Sequence, residues 1–326
     1  MSLNFWIYEL GTSLGSNRIQ TSDLLSEFGP VREGFTDRTG FINLYSAGED
    51  TALSLSVGIL KNKIKMIEEN TKIGTLIFVG SSTEYQAPGN ASLLHDALKL
   101  DKNVMTVDIN DACTGFLKAL LLTGSIQKTN QEGATLLVIS DTYRKFFEES
   151  NLKLSPLFSD GCSAFLVSTN EVKGLRGQLA GRNWEVLGKS FATDGSKAQT
   201  LRIERNSESP NHSLQMDGAA VFQFVLGNAE NTINQATQKI DPIQRNTIQW
   251  FVHQGSRAVV NAMELVLGAE PDSLLRAREY GNVVGSSLPF QFGDIKNEKN
   301  QLIGMISFGV GLSMICVIVN QIEVSK

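Results

Sequence analysis

Three short stretches hold the residues of this chain with most chemistry to offer. They are Asp108-Ile-Asn-Asp-Ala-Cys113-Thr-Gly-Phe116, Trp250-Phe-Val-His253-Gln254 and Tyr280-Gly-Asn282. Residues 104–109 read as a buried strand, and the residues after Cys113 have helical spacing. The thiol is therefore expected at a helix N-terminus. Free N–H groups and the positive end of the helix dipole lower a thiol pKa there, which would make Cys113 a nucleophile. The other reading of such a cysteine is a small buried filler. His253 directly follows a strand-like run, at the kind of strand end where open α/β sheets place ligand-handling groups. A hydrogen-bonded structural histidine is the alternative there, and Asn282 after Gly281 also fits a plain turn. His95 falls in a helical stretch and His212 in a polar loop, so neither has the same context.

The elements that must position these residues alternate. Residues 5–10, 76–79, 104–109 and 136–139 are short apolar runs of the kind found in strands covered on both faces. Leu53, Val57, Leu60, Ile64 and Ile67 step by 4, 3, 4 and 3, which predicts one long helix with a single buried stripe. Later, residues 184–191 and 248–252 read as strands. Residues 218–240 read as a helix with Phe222, Val225, Leu226, Ala229, Ile233 and Ala236 on one face, and a further helix runs through Leu267. Residues 302–319 carry no charge over 18 positions, but Phe308-Gly-Val-Gly311 divides them into two buried strands better than it joins them into a membrane span. Phe158-Ser-Asp-Gly and Phe308-Gly-Val-Gly each lead into a small-residue strand with a cysteine in it, a hint of internal duplication.

The bulk properties limit the function classes. At 326 residues the chain calls for two core-bearing halves. Its 41% apolar and 19% charged content suits a large interior. A net charge of −5 without a basic cluster argues against nucleic acid. Three scattered cysteines suit neither a disulfide framework nor a zinc site and fit a reducing cytoplasm. No basic segment leads into an apolar run at the N-terminus, so no signal peptide is expected.

In order and context these motifs resemble β-ketoacyl-acyl carrier protein synthase III, within the thiolase-like condensing enzymes. The Cys113 stretch is similar to that family's nucleophile motif, Phe158-Ser-Asp-Gly161 to its FGDG segment, and Met216-Asp-Gly218 with Val221-Phe222 to its M-x-G…VF helix start. His253-Gln254 and Gly281-Asn282, with the two catalytic candidates 29 residues apart, resemble its HQ and GN motifs. Phe308-Gly-Val-Gly311 resembles its closing FGGG, and Arg38-Thr-Gly40 its early RTG region. The resemblance implies an α/β, thiolase-like five-layered αβαβα fold built from two similar halves. Residues 1–170 would carry the nucleophile and 171–326 the histidine and asparagine. It further implies a Cys113–His253–Asn282 triad that performs decarboxylative condensation of an acyl-CoA primer with malonyl-acyl carrier protein. Backbone N–H groups of Cys113 and of Gly309 or Gly311 would form an oxyanion hole. Arg38, Ala87, Ser256, Arg257 and Phe308 would contact substrate. The expected partners are acyl-CoA, acyl carrier protein and a second copy of the chain, joined near the strand leading to Cys113. No metal or cofactor is expected. The alternative is an acyltransferase of the same fold that passes the acyl group from Cys113 to an alcohol or amine; a partner subunit without activity has no reason to keep all three residues.

Four departures from the pattern bear on specificity. Gly34, with Phe35 beside it, replaces the aromatic four residues before Arg38. Ser256 replaces the asparagine of HQAN. The helix after Arg257 is poor in lysine, where a carrier would dock. Ala87, before Pro88, replaces a bulky residue. The last predicts a roomier pocket and a primer longer or bulkier than acetyl. Glu84 nearby is either an added acid/base group or a solvated loop carboxylate.

Overall fold

The computed structural model describes residues 3–26, 39–129, 133–205 and 212–325. Its strands are β1 (Leu3–Leu14), β2 (Asn17–Gln20), β3 (Asn43–Ser46), β4 (Ile73–Val79), β5 (Met105–Ile109), β6 (Ala134–Asp141), β7 (Gly161–Ser168), β8 (Gly181–Thr193), β9 (Leu201–Arg205), β10 (His212–Met216), β11 (Gln249–Val252), β12 (Gln301–Gly309) and β13 (Ser313–Ser325). The helices are α1 (Thr21–Ser26), α2 (Ala52–Leu60), α3 (Ile64–Glu68), α4 (Asn90–Ala97), α5 (Ala112–Thr129), α6 (Gly218–Thr237), α7 (Pro242–Arg245) and α8 (Arg257–Leu267).

Strand alternation sorts the core into layers. On β4, Leu76 and Phe78 pack with α2, α3 and α4, while Ile77 and Val79 face the opposite way onto α5. On β12 and β13, Ile303, Met305, Ile315, Val317 and Val319 also face α5, whereas Ile306, Phe308, Met314, Cys316 and Ile318 face α6 and α8. This is the period-2 pattern of a sheet buried on both faces. The middle of α5 is apolar and buried on several sides, through Phe116, Leu117, Ala119, Leu120 and Leu121, as expected of a helix sandwiched between two sheet surfaces. The sequence of layers is helix, sheet, helix, sheet, helix.

Hydrogen bonding runs through the order β11-β12-β13-β8-β1-β7-β6-β4-β5, with β1 and β8 joining the two sheet surfaces antiparallel. The strand directions repeat. β4 and β6 are parallel and then β7 and β1 alternate; β11 and β12 are parallel and then β13 and β8 alternate. Cys162 and Cys316 are both buried on the equivalent strands β7 and β13.

Three local expectations are corrected. The long helix is two helices, α2 and α3, because the chain turns at the exposed Lys61-Asn62 and thereby keeps Leu60, Ile64 and Ile67 on the sheet. On α6 the buried face carries Phe224, Val225, Ala229 and Ala236, and Leu226 is 41% exposed. β5 is not covered on both faces. It is the edge of the sheet, Met105 is 41% exposed, and Asp108 turns to the first turn of α4, where it accepts the Ala91 N–H at 2.9 Å.

At the C-terminal end of β6, Asp141 Oδ1 accepts the Ser81 and Ser82 N–H groups at 2.7 and 3.0 Å and the Ser82 hydroxyl at 3.0 Å. Oδ2 is buried without a partner among the described residues. Burial raises this carboxyl from the ordinary 3.8 to about 7, against those hydrogen bonds, with the Asp160 charge adding to the rise. The folded state thus binds the proton more tightly than the unfolded chain. The stabilisation is complete below pH 3.8 and is lost as pH rises through about 7. Asp141→Asn keeps an acceptor at Oδ1 and removes the titration. Thermal melts should show wild type losing on the order of 1 kcal/mol more than the variant between pH 6 and pH 8. Parallel curves would contradict this.

Candidate active site

Cys113 is the second residue of α5, and the turn before it is strained. Ala112 has φ +40°, a left-handed conformation uncommon for a residue with a side chain. Val284, two residues after Asn282, has φ +52°, which is rarer still for a β-branched residue. Such conformations cost about 1–3 kcal/mol each and persist only where the surroundings enforce them. The two strained turns press on each other. A Cβ on Gly285 would lie 2.9 Å from the Ala112 carbonyl oxygen, so only glycine allows this approach. On the other side a Cβ on Gly309 would lie 2.9 Å from Cys113 Cβ. Ser307 donates its hydroxyl to the Cys113 carbonyl at 2.6 Å, tying α5 to β12.

His253 directly follows β11, and its N–H donates to the Ile306 carbonyl at 2.9 Å, which continues the sheet to the site. Its ring meets Phe308 edge-on, with centroids 5.2 Å apart. Gln254 fixes the next segment. Its amide nitrogen donates to Val252 and Leu274 carbonyls, and its oxygen accepts from the Arg276 and Ala277 N–H groups. That segment leads to Asn282, whose N–H donates to the Leu157 carbonyl at 3.0 Å while its carbonyl accepts from Ser159 N–H at 2.9 Å. The Asn282 side-chain oxygen accepts from Val284 N–H at 2.9 Å and from the Ser287 hydroxyl at 3.1 Å. With Oδ1 so engaged, the side-chain NH2 is the group left to face a ligand.

Cys113, His253 and Asn282 line one cavity of about 260 Å3, together with Ala112, Tyr143, Phe158, Phe308 and Gly309. Toward the mouth its walls are Lys153, Gly218, Ser256 and Ala258. The interior is dry enough to move both titrating groups. Burial lowers the His253 imidazole from 6.5 to about 3, so it is neutral across the physiological range. Burial, then the charge of Asp141, pushes the Cys113 thiol up, with Asp111 adding further. This reverses the expected lowering. The helix end is present, but burial and nearby carboxylates outweigh it, and Asp111 is itself ion-paired to Lys118.

The remaining sequence candidates divide. Ser256 and Phe308 line the cavity, and Ser256 also caps α8. Arg257 turns away to an ion pair with Asp272 at 2.7 Å. Ala87 is exposed and outside this cavity, so within one chain it does not set the pocket's volume. Gly311 is also outside it, its open side facing Ser313. Glu84 borders a separate groove with Asp50 and Lys61. Arg38, Gly34 and Phe35 lie outside the described residues. Among the described residues no cluster of three metal-ligating side chains occurs, and no helix is long and apolar enough to cross a membrane. Sequence reasoning missed Tyr143, although it follows β6 almost directly and the strand-end rule that found His253 would have found it too.

Family models extend this reading. Residues 107–181 match the model for 3-oxoacyl-[acyl-carrier-protein] synthase III, and residues 241–321 match the model for its C-terminal part. A β-ketoacyl-[acyl-carrier-protein] synthase III of Lactiplantibacillus plantarum is 25% identical over 96% of this chain and 98% of its own length. One from Staphylococcus epidermidis is 27% identical over 86% and 87%. Among solved structures, a 3-oxoacyl-(acyl-carrier protein) synthase from Burkholderia xenovorans superposes with a TM-score of 0.82 at 20% identity, covering 99% of this chain and 96% of that one. The priming β-ketosynthase of the R1128 polyketide pathway superposes with 0.78 at 17%, covering 97% and 96%. The layers described above are thus those of the thiolase-like fold, and the chain is similar over nearly its whole length to 3-oxoacyl-[acyl-carrier-protein] synthases III.

Proposed function

We propose that this protein condenses an acyl-CoA primer with malonyl-acyl carrier protein, using Cys113, His253 and Asn282. The observation that carries the assignment of roles is the asparagine's orientation: Oδ1 is held by two donors, so its NH2 is offered to the cavity beside a neutral imidazole. In the first half-reaction the Cys113 sulfur attacks the acyl-CoA carbonyl. The C–S bond to CoA breaks, and the thiol proton leaves with the CoA thiol. The Cys113 and Gly309 N–H groups are the donors proposed for the oxyanion.

In the second, the malonyl carboxylate leaves as CO2 and its bonding electrons become an enolate on the carrier thioester. Two fixed dipoles, imidazole N–H and amide N–H, stabilise that oxygen without proton transfer, and burial strengthens both. The enolate carbon attacks the Cys113 thioester, a C–C bond forms, and the C–S bond breaks to release a thiolate that takes up a proton from solvent. The pair also separates this reading from simple acyl transfer, which forms no enolate and has no use for it.

Further roles follow from the same proposal. Ser256 and Phe308 are assigned to the thioester path, and Arg38 to the CoA end. The halves 1–170 and 171–326 are assigned as duplicates, supported by the repeated strand directions. The exposed β5 edge supports a homodimer through that strand. Three free thiols support a cytoplasmic setting.

Intact mass after incubation with acyl-CoAs should show one acyl group on wild type and none on Cys113→Ala; a gain that persists in the variant would remove the nucleophile assignment. Asn282→Asp keeps the acceptor oxygens and replaces the donor by a charge. CO2 release from malonyl-acyl carrier protein should fall by roughly 10²–10³-fold, while Cys113 still acylates. Decarboxylation near the wild-type rate would contradict the donor role.

A further inference from the structure

Cys113 and His253 are both anchored to β12, through the Ser307 hydroxyl and the Ile306 carbonyl. Asn282 is anchored elsewhere. Its N–H donates to the Leu157 carbonyl, its carbonyl accepts from Ser159 N–H, and Phe158 between them pairs with it in parallel register. The segment that leads into this pairing has no helix or strand of its own, since residues 152–157 are turns. A tether from outside the segment therefore decides where Asn282 stands. Arg144 supplies one.

Arg144 lies in the short helical turn after β6, and its side chain is only 2% exposed. Its Nη1 donates to the Ser155 and Phe158 carbonyls at 2.8 and 2.9 Å. Its backbone N–H donates to Asp160 Oδ1 at 2.9 Å, just beyond the same segment. The guanidinium also stands 5.6 Å from the Phe147 ring, which packs on the Phe158 ring at 6.1 Å. Its ion-pair partner Glu149 is 57% exposed, so solvent weakens that pair. The buried carbonyl bonds are the stronger tether, because a charged donor binds a carbonyl more tightly than a neutral one. Residues 157–159 are thus clasped from two sides, by Arg144 at the Phe158 carbonyl and by Asn282 at the neighbours of Phe158. Resting on the condensation reading, we propose that Arg144 is a positioning residue for decarboxylation, holding residues 155–158 so that the Asn282 NH2 meets the enolate oxygen. A misplacement of about 1 Å in such a group can cost roughly 10²-fold in rate. Cys113 does not lean on this clasp, so its acylation is set apart from the Asn282 step.

The test compares two rates in each variant: CO2 release from malonyl-acyl carrier protein, and Cys113 acylation at saturating acyl-CoA, followed by intact mass. Arg144→Met keeps the bulk of the side chain and removes the donors. It should slow CO2 release by about tenfold or more and leave acylation within about threefold of wild type. Arg144→Lys, which keeps a buried cation and the fold, should show the same split at smaller amplitude. A double-mutant cycle then asks whether Arg144 acts through Asn282. In an Asn282→Ala background, Arg144→Met should change the residual CO2 release by less than about twofold. Wild-type CO2 release in both Arg144 variants, an equal loss in the two rates, or an undiminished loss in the Asn282→Ala background would overturn the inference and leave the condensation reading intact. Absence of CO2 release by wild type, or full release by Asn282→Ala, would overturn both.

Discussion

The first turn of α5 is pressed between two sheet surfaces, and the chemistry of this protein depends on that contact. Gly285 lets the turn that follows Asn282 lie against the Ala112 carbonyl, and Gly309 lets the end of β12 lie against Cys113. Ser307 closes the arrangement with its hydrogen bond to the Cys113 carbonyl. Three residues separated by 140 and 29 positions in the chain are thereby fixed around one cavity. The left-handed conformations of Ala112 and Val284 are the strain that this packing holds in place.

The same contact sets the electrostatics. A helix end crowded by two sheets excludes water, and exclusion of water favours the neutral form of every group there. Burial keeps the Cys113 thiol protonated and the His253 imidazole neutral across the physiological range. A neutral imidazole is a poor base but a steady hydrogen-bond donor, and the amide of Asn282 cannot ionise at all. Both suit an intermediate whose charge appears on oxygen and must be met without delay. Asp141 and Tyr143 belong to this dry region as well, and Asp141 Oδ2 is left unpaired among the described residues.

Much of this was legible in the residues. Cys113 and His253 stand at element ends and Asn282 after a turn glycine, places that strand periodicity and glycine spacing reveal. The division of residues 302–319 into two strands followed from Gly309 and Gly311. What could not be read is tertiary. The 4-3-4-3 stripe of residues 53–67 is the same whether the helix runs on or bends at Lys61, and only the sheet beneath decides. The apolar run before Cys113 gives no sign that β5 lies at an edge. The thiol's pKa reversed because a helix N-terminus is a local feature while burial is not.

The central claim is that His253 works as a neutral donor in a dry site. Titration of the imidazole 15N resonances, with His253 identified by its loss in His253→Gln, tests this most directly. His253 should show no protonation midpoint between pH 5 and pH 8, consistent with a pKa held at about 3. A midpoint near the ordinary 6.5 would contradict it.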